Sequence, residues 1–287
     1  MPEFEGGSDL FDNIATQAAE RRAEFNAQGI SNMVWAYAKV DKPHALLFEA
    51  MEDQVVAFRH LGEFNSQNLA NTVWAYASAG VSHPKLFEKV ANCIVRLDSL
   101  YGFKPQELSN TVWAYASAGV SHPKLFEKVA NCIVRLDSLY GFKPQELSNT
   151  MWAYATAQVP HPKLFQKVAK AAIQCKGEFN SQNVANLLWA YATMGIGDKK
   201  LFSSFVLTAT KLLGSYENQG LANIAWAYAV ANVDAPALFN DHFINKCIEK
   251  EGGFEKKGKV NLGLKISFSS INGICGRQKR SHALVYH

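Results

Sequence analysis

FKPQELSNTVWAYASAG, residues 103–119, is the stretch on which the fold turns, because its elements recur at nearly fixed distances along the chain. All six tryptophans, Trp35, Trp74, Trp113, Trp152, Trp189 and Trp226, open the same phrase, Trp-Ala-Tyr-Ala, at spacings of 39, 39, 39, 37 and 37. A Leu-Phe pair follows each tryptophan by 12 residues, at 47, 86, 125, 164, 201 and 238. One more pair, Leu10-Phe11, lies 37 residues before the first of these. Self-similarity at a period of about 20–50 residues marks a stack of small repeated units rather than one globular core.

Each unit reads as two helices. Pro105 sits in the first turn of a helix that Gly119 closes. His122-Pro123 then opens a second helix, expected to run to about Tyr140 before Gly141 ends it. The short connection makes an αα-hairpin of a helix A and a helix B. On a wheel of about 100° per residue, helix A carries Leu108, Val112, Trp113, Tyr115 and Ala116 on a broad apolar arc, with Gln106, Asn110 and Ser117 beside it. Its many small residues imply close neighbours on both flanks. Helix B is amphipathic, with Leu125, Val129, Cys132 and Ile133 on one face and Lys124, Lys128 and Arg135 among its polar residues.

Neither helix buries its apolar face within a lone hairpin, so successive hairpins must stack. The expected fold is therefore all-α, an α-solenoid of tandem two-helix repeats with a period of 37–39 residues. Residues 1–24 form an N-terminal segment with a partial repeat, helix B only. Residues 25–252 hold six hairpins, and 253–287 a basic, glycine-containing tail expected to be poorly ordered.

Charge is uneven. The 287 residues carry a formal net charge of +4, but 249–287 hold eight Lys/Arg and three Asp/Glu, leaving 21 basic against 22 acidic residues before them. A neutral array argues for few phosphate contacts. Five cysteines without a CxxC pair read as reduced thiols. The start of the chain resembles neither a secretory signal nor an Arg-rich transit peptide, and no apolar run is long enough for a membrane span. No metal, cofactor or catalytic set is expected. The histidines at 44, 83, 122 and 161 are isolated helix-start residues, and phosphate loops, nucleophile elbows and paired-carboxylate motifs are missing. The reading is of a binding protein, not an enzyme.

Asparagine recurs at 32, 71, 110, 149, 186 and 223, with glutamine four residues before each. Groups that tell one base from another should differ between repeats, as they do in RNA-reading helical arrays. Identical groups therefore read as scaffold. Asn71, Asn110, Asn149 and Asn186 are expected as buried hydrogen-bond links, and Trp74, Trp113, Trp152 and Trp189 as core. The candidate readers are the positions that vary. These are the residue after the glutamine (Gly29, Asn68, Glu107, Glu146, Asn183, Gly220) and the one after the asparagine (Met33, Thr72, Thr111, Thr150, Leu187, Ile224). With Lys104 and Lys143 as phosphate partners, the candidate contact set is Asn68, Thr72, Lys104, Glu107, Thr111, Lys143, Glu146, Thr150 and Asn183. Residues 71–111 are identical to residues 110–150, so two adjacent hairpins would read the same base twice in succession.

The phrase Phe-x-x-Gln-x-Leu-x-Asn-Thr-Val-Trp-Ala-Tyr-Ala, at 103–116, resembles the helical repeats of organelle RNA-binding proteins. These are the octotricopeptide-repeat family of algae, which includes chloroplast translation factors, and its relatives among FAST-kinase-like proteins and trypanosome RNA-editing substrate-binding subunits. The resemblance covers roughly residues 10–250, and nothing in the tail resembles the RAP domain in which such proteins often end. It implies a mitochondrial or chloroplast protein that binds single-stranded RNA, an organelle transcript or rRNA, in RNA processing, stability or translation, with other proteins of a ribonucleoprotein complex as further partners. The alternative is a protein-interaction solenoid that touches no nucleic acid, which the neutral array favours.

Overall fold

The computed structural model describes residues 7–80 and 83–249, so the tail at 253–287 lies outside the described residues. Among the described residues there are thirteen α-helices and no strand. The A helices are α2 (Ala27–Lys39), α4 (Ser66–Ser78), α6 (Pro105–Ser117), α8 (Pro144–Thr156), α10 (Ser181–Thr193) and α12 (Asn218–Ala231). The B helices are α1 (Gly7–Glu20), α3 (Ala45–Ala57), α5 (Pro84–Arg96), α7 (Pro123–Arg135), α9 (Pro162–Gln174), α11 (Lys199–Lys211) and α13 (Asp241–Glu249). The fold is an α-solenoid of two-helix repeats.

The chain divides into two compact units, Met1–Leu136 and Asp137–His287. Both are layered in the same way. In the first, α4 packs between α2 and α6, while α1, α3, α5 and α7 follow one another in a second layer. In the second unit, α10 packs between α8 and α12, and α9 lies against α11. The small residues of helix A permit this closeness: Ala75, Ala114, Ala153 and Ala190 are fully buried.

The helix ends obey local chemistry. His122 and His161 cap their B helices, each Nδ1 accepting the N–H of the residue three on, Leu125 and Leu164, at 3.2 Å. Asp198 does the same for Leu201 at 3.0 Å. After every A helix one residue turns left-handed, namely Asp41, Gly80, Gly119, Gln158, Gly195 and Asn232, with φ between 51° and 67°. The turn lets the Val120 N–H reach back to the Tyr115 carbonyl at 2.9 Å, satisfying an end carbonyl of α6. Gln158 carries a side-chain penalty there that glycine avoids. Gln158→Gly should therefore raise the unfolding free energy by about 0.5–1 kcal/mol, measured by denaturant melts.

Helix B is shorter than the sequence predicts. It ends at Arg135, not near Tyr140, because Leu136 is extended (φ −59°, ψ 140°). The next residues form a turn, in which the Phe142 N–H bonds the Leu139 carbonyl, and both of these side chains are buried. Tyr140 is left 97% exposed.

Successive repeats are joined by the two phrases that first revealed the period. Tyr115 of α6 is fully buried and donates its hydroxyl to the Phe87 carbonyl of α5 at 2.6 Å. Their rings meet edge to face, centroids 5.0 Å apart. The same joint links Tyr37 to Phe11, Tyr76 to Phe48 and Tyr191 to Phe165, each at 2.6 Å, and Tyr228 to Phe202 at 2.9 Å. So Leu-Phe of one repeat and Trp-Ala-Tyr-Ala of the next are two halves of one contact. A second link runs between B helices. The Lys128 ammonium donates to the carbonyls of Val95, at 2.8 Å, and Leu97, closing the C-terminal end of α5. Lys89 does the same for Val56, at 2.6 Å, and Phe58, and its burial there lowers its pKa.

Candidate nucleic-acid interface

The residue after each glutamine is the third of its A helix, where a side chain can reach back to the helix start. Asn68 exchanges side chain-to-backbone hydrogen bonds with Asn65, the cap of α4, at 2.8 and 3.2 Å. It also donates to the buried Ser31 hydroxyl of α2 at 2.9 Å. Asn183 pairs with Asn180 in the same way. Glu107 and Glu146 accept the backbone N–H of Lys104 and Lys143 at 2.8 Å. Burial raises the Glu146 pKa against the opposing pull of these contacts with Lys143. Glycine occupies this place in α2 and α12, where a Cβ would come within 3.0 Å of the Phe25 or Tyr216 ring. Variation at this position therefore follows the helix cap.

These four side chains, Asn68, Glu107, Glu146 and Asn183, are buried, which corrects their reading as RNA contacts. Thr72, Thr111 and Thr150 are corrected for the same reason, at 0, 1 and 1% exposure. The hydroxyls of Thr111 and Thr150 bond carbonyls one turn back, those of Glu107 and Glu146, at 2.7 Å. In α10 and α12 their places are taken by the fully buried Leu187 and Ile224, as suits a face pressed on a neighbouring helix. Of the candidate contact set, Lys104 and Lys143 alone are exposed.

The invariant residues are the surface. All six glutamines are exposed; of the asparagines and tryptophans, Asn32 and Trp35 are exposed and the other ten are half-buried. Gln106, Asn110, Trp113 and Ser117 fall within about 60° on the helical wheel, so they form one ridge along α6. The amides stand within reach of each other, as the 2.8 Å bond from Gln219 to Asn223 shows. The unit Met1–Leu136 presents the Gln-Asn-Trp part of this rung three times, on α2, α4 and α6, and the unit Asp137–His287 three times, on α8, α10 and α12, while the fourth place is Lys39 in α2 and Val230 in α12.

This corrects two expectations. Asn71, Asn110, Asn149 and Asn186 are not buried register links, and their side chains make no hydrogen bond among the described residues. Trp74, Trp113, Trp152 and Trp189 do not fill the core; the tyrosine two residues on does so. The signal that points to the ridge is the i, i+4, i+7 spacing of Gln, Asn and Trp, followed at i+11 by Ser or Thr in four of the six repeats. Trp113 adjoins the apolar arc on the wheel, which hides the ridge.

A rung offers an aromatic face for stacking and two amides that each donate and accept, and it carries no charge. On the B side, Lys124 and Arg135 are exposed. Burial raises the pKa of the Cys93, Cys132 and Cys175 thiols. Among the described residues no three His, Cys, Asp or Glu side chains gather to hold a metal ion, and no helix is long and apolar enough to cross a membrane.

Fold and ridge together define a helical-repeat scaffold with a periodic polar-aromatic face. Residues 63–247 match the family of RNA-editing substrate-binding complex 6 protein, and the chain belongs to that family. A second family, of proteins of unknown function, matches residues 17–34 and 46–73. No curated protein matches the chain.

Proposed function

We propose that the protein binds single-stranded RNA along the exposed ridge of its A helices, as a subunit of a mitochondrial complex that holds the substrates of RNA editing. The observation that carries this reading is the repeated Gln-Asn-Trp rung. A half-buried indole held on a rigid helix stacks a base at little cost in ordering, and the amides beside it hydrogen-bond base edges or sugar hydroxyls. Family membership supports the setting, and kinship with the octotricopeptide-repeat and FAST-kinase-like proteins is part of the same proposal. The protein acts by holding RNA and neighbouring subunits, not by catalysis.

Lys104 and Lys143 stand exposed at the start of two A helices, where a backbone phosphate following the ridge would pass. One such contact in each unit, Lys104 in the first and Lys143 in the second, gives a log-log salt slope of only about −0.7 per unit. Fluorescence titration of a labelled RNA at several salt concentrations tests this. A shallow slope is expected, and Lys104→Ala with Lys143→Ala should flatten it further. No binding of any RNA by the folded protein would leave the protein-interaction solenoid as the reading.

A further inference from the structure

We infer that the array reads the base composition of single-stranded RNA and not its base order, so that its preferred ligand is a run of one repeated base. This rests on the proposal of RNA binding along the ridge. The structure reverses the assignment of roles that a varied array suggests. Asn68, Thr72, Glu107, Thr111, Glu146, Thr150, Asn183, Leu187 and Ile224, at the positions that differ between repeats, are buried, whereas the Gln, Asn and Trp of the ridge are the same in all six repeats, and only the ridge position after them varies, as Lys39, Ser78, Ser117, Thr156, Thr193 and Val230. A ligand laid across α2, α4 and α6 therefore meets Gln, Asn and Trp, then Gln, Asn and Trp again, and the same holds for α8, α10 and α12.

A heteropolymeric site needs rungs of different chemistry, one for each base, as in repeat proteins that carry a readable code. These rungs have one chemistry. An amide presents an adjacent donor and acceptor, and one arrangement of that pair on Gln and Asn beside the indole suits one base edge best. Whatever base fits the first rung fits the second and third equally. The consequence is a site without register, in which the strand can advance by one rung and make the same contacts.

The test uses the full chain and five single-stranded RNAs of equal length, four homopolymers and one of mixed sequence, followed by selection from a random pool. One homopolymer should bind on the order of ten-fold or more tightly than the mixed RNA, the discrimination a good amide-base contact supplies. Selection should return runs of that base with no fixed frame. The variant carrying Gln67→Ala, Asn71→Ala, Gln106→Ala and Asn110→Ala should melt close to the parent, because these side chains are exposed or half-buried, and should lose most of the preference. Selection of a motif with different bases at fixed positions, or equal affinity for all five RNAs, overturns the inference and leaves RNA binding intact. Absence of binding to every RNA overturns the binding proposal and the inference with it.

Discussion

Replacing Tyr115 by alanine is expected to destabilise the protein by about 3–5 kcal/mol, the cost of removing a large aromatic ring from a packed interior. Tyr115 is fully buried, meets Phe87 edge to face and closes the joint between α5 and α6 through its 2.6 Å hydrogen bond. Tyr115→Phe keeps the ring and removes one hydrogen bond from the Phe87 carbonyl, which retains its partner within α5, so it should cost only about 0.5–1.5 kcal/mol. Since each repeat is held mainly by its neighbours, the loss should appear as a broadened thermal transition as well as a lower midpoint. Unfolding followed by circular dichroism on the two variants checks both magnitudes and their order.

Replacing Trp74 and Trp189 by alanine should act on binding. Each indole is half-buried on the ridge, one in either unit, so each substitution removes a stacking platform while the Tyr-Phe joints stay in place. The expected loss of RNA affinity is about 1–3 kcal/mol per tryptophan. Stability should fall by less than for Tyr115→Ala, because part of the indole already faces water. Trp74→Phe with Trp189→Phe should recover part of the affinity. A double variant that melts far below the parent but binds RNA unchanged would return the tryptophans to the core.

The architecture was legible in the sequence because periodicity reports it directly. Six identical phrases and seven Leu-Phe pairs fix the hairpins and the half-repeat at the start, and Pro105, His122 and Gly119 mark helix ends by known capping chemistry. The end of helix B was not legible, because Leu139 and Phe142 satisfy an apolar pattern that a helix and a turn with two buried anchors share. The site was less legible for a sharper reason. In an A helix flanked on both sides, the exposed face is narrow, about 60° wide, and one large aromatic within it makes it look like core. Trp113 and Tyr115 both read as buried, yet 200° of rotation separates them on the wheel, which puts Tyr115 between the layers and Trp113 on the outside. Variation between repeats misled in the same way. At Asn68, Glu107, Glu146 and Asn183 it follows the caps Asn65, Lys104, Lys143 and Asn180, a dependence visible only once the helix start is located.

Ultraviolet crosslinking of the full chain to single-stranded RNA, with the crosslinked residues located by mass spectrometry, tests the central claim most directly. The account predicts adducts on the A-helix ridge, at or beside the tryptophans and their Asn and Gln partners, in both units. Adducts confined to the B helices, around Lys124 and Arg135, would contradict it.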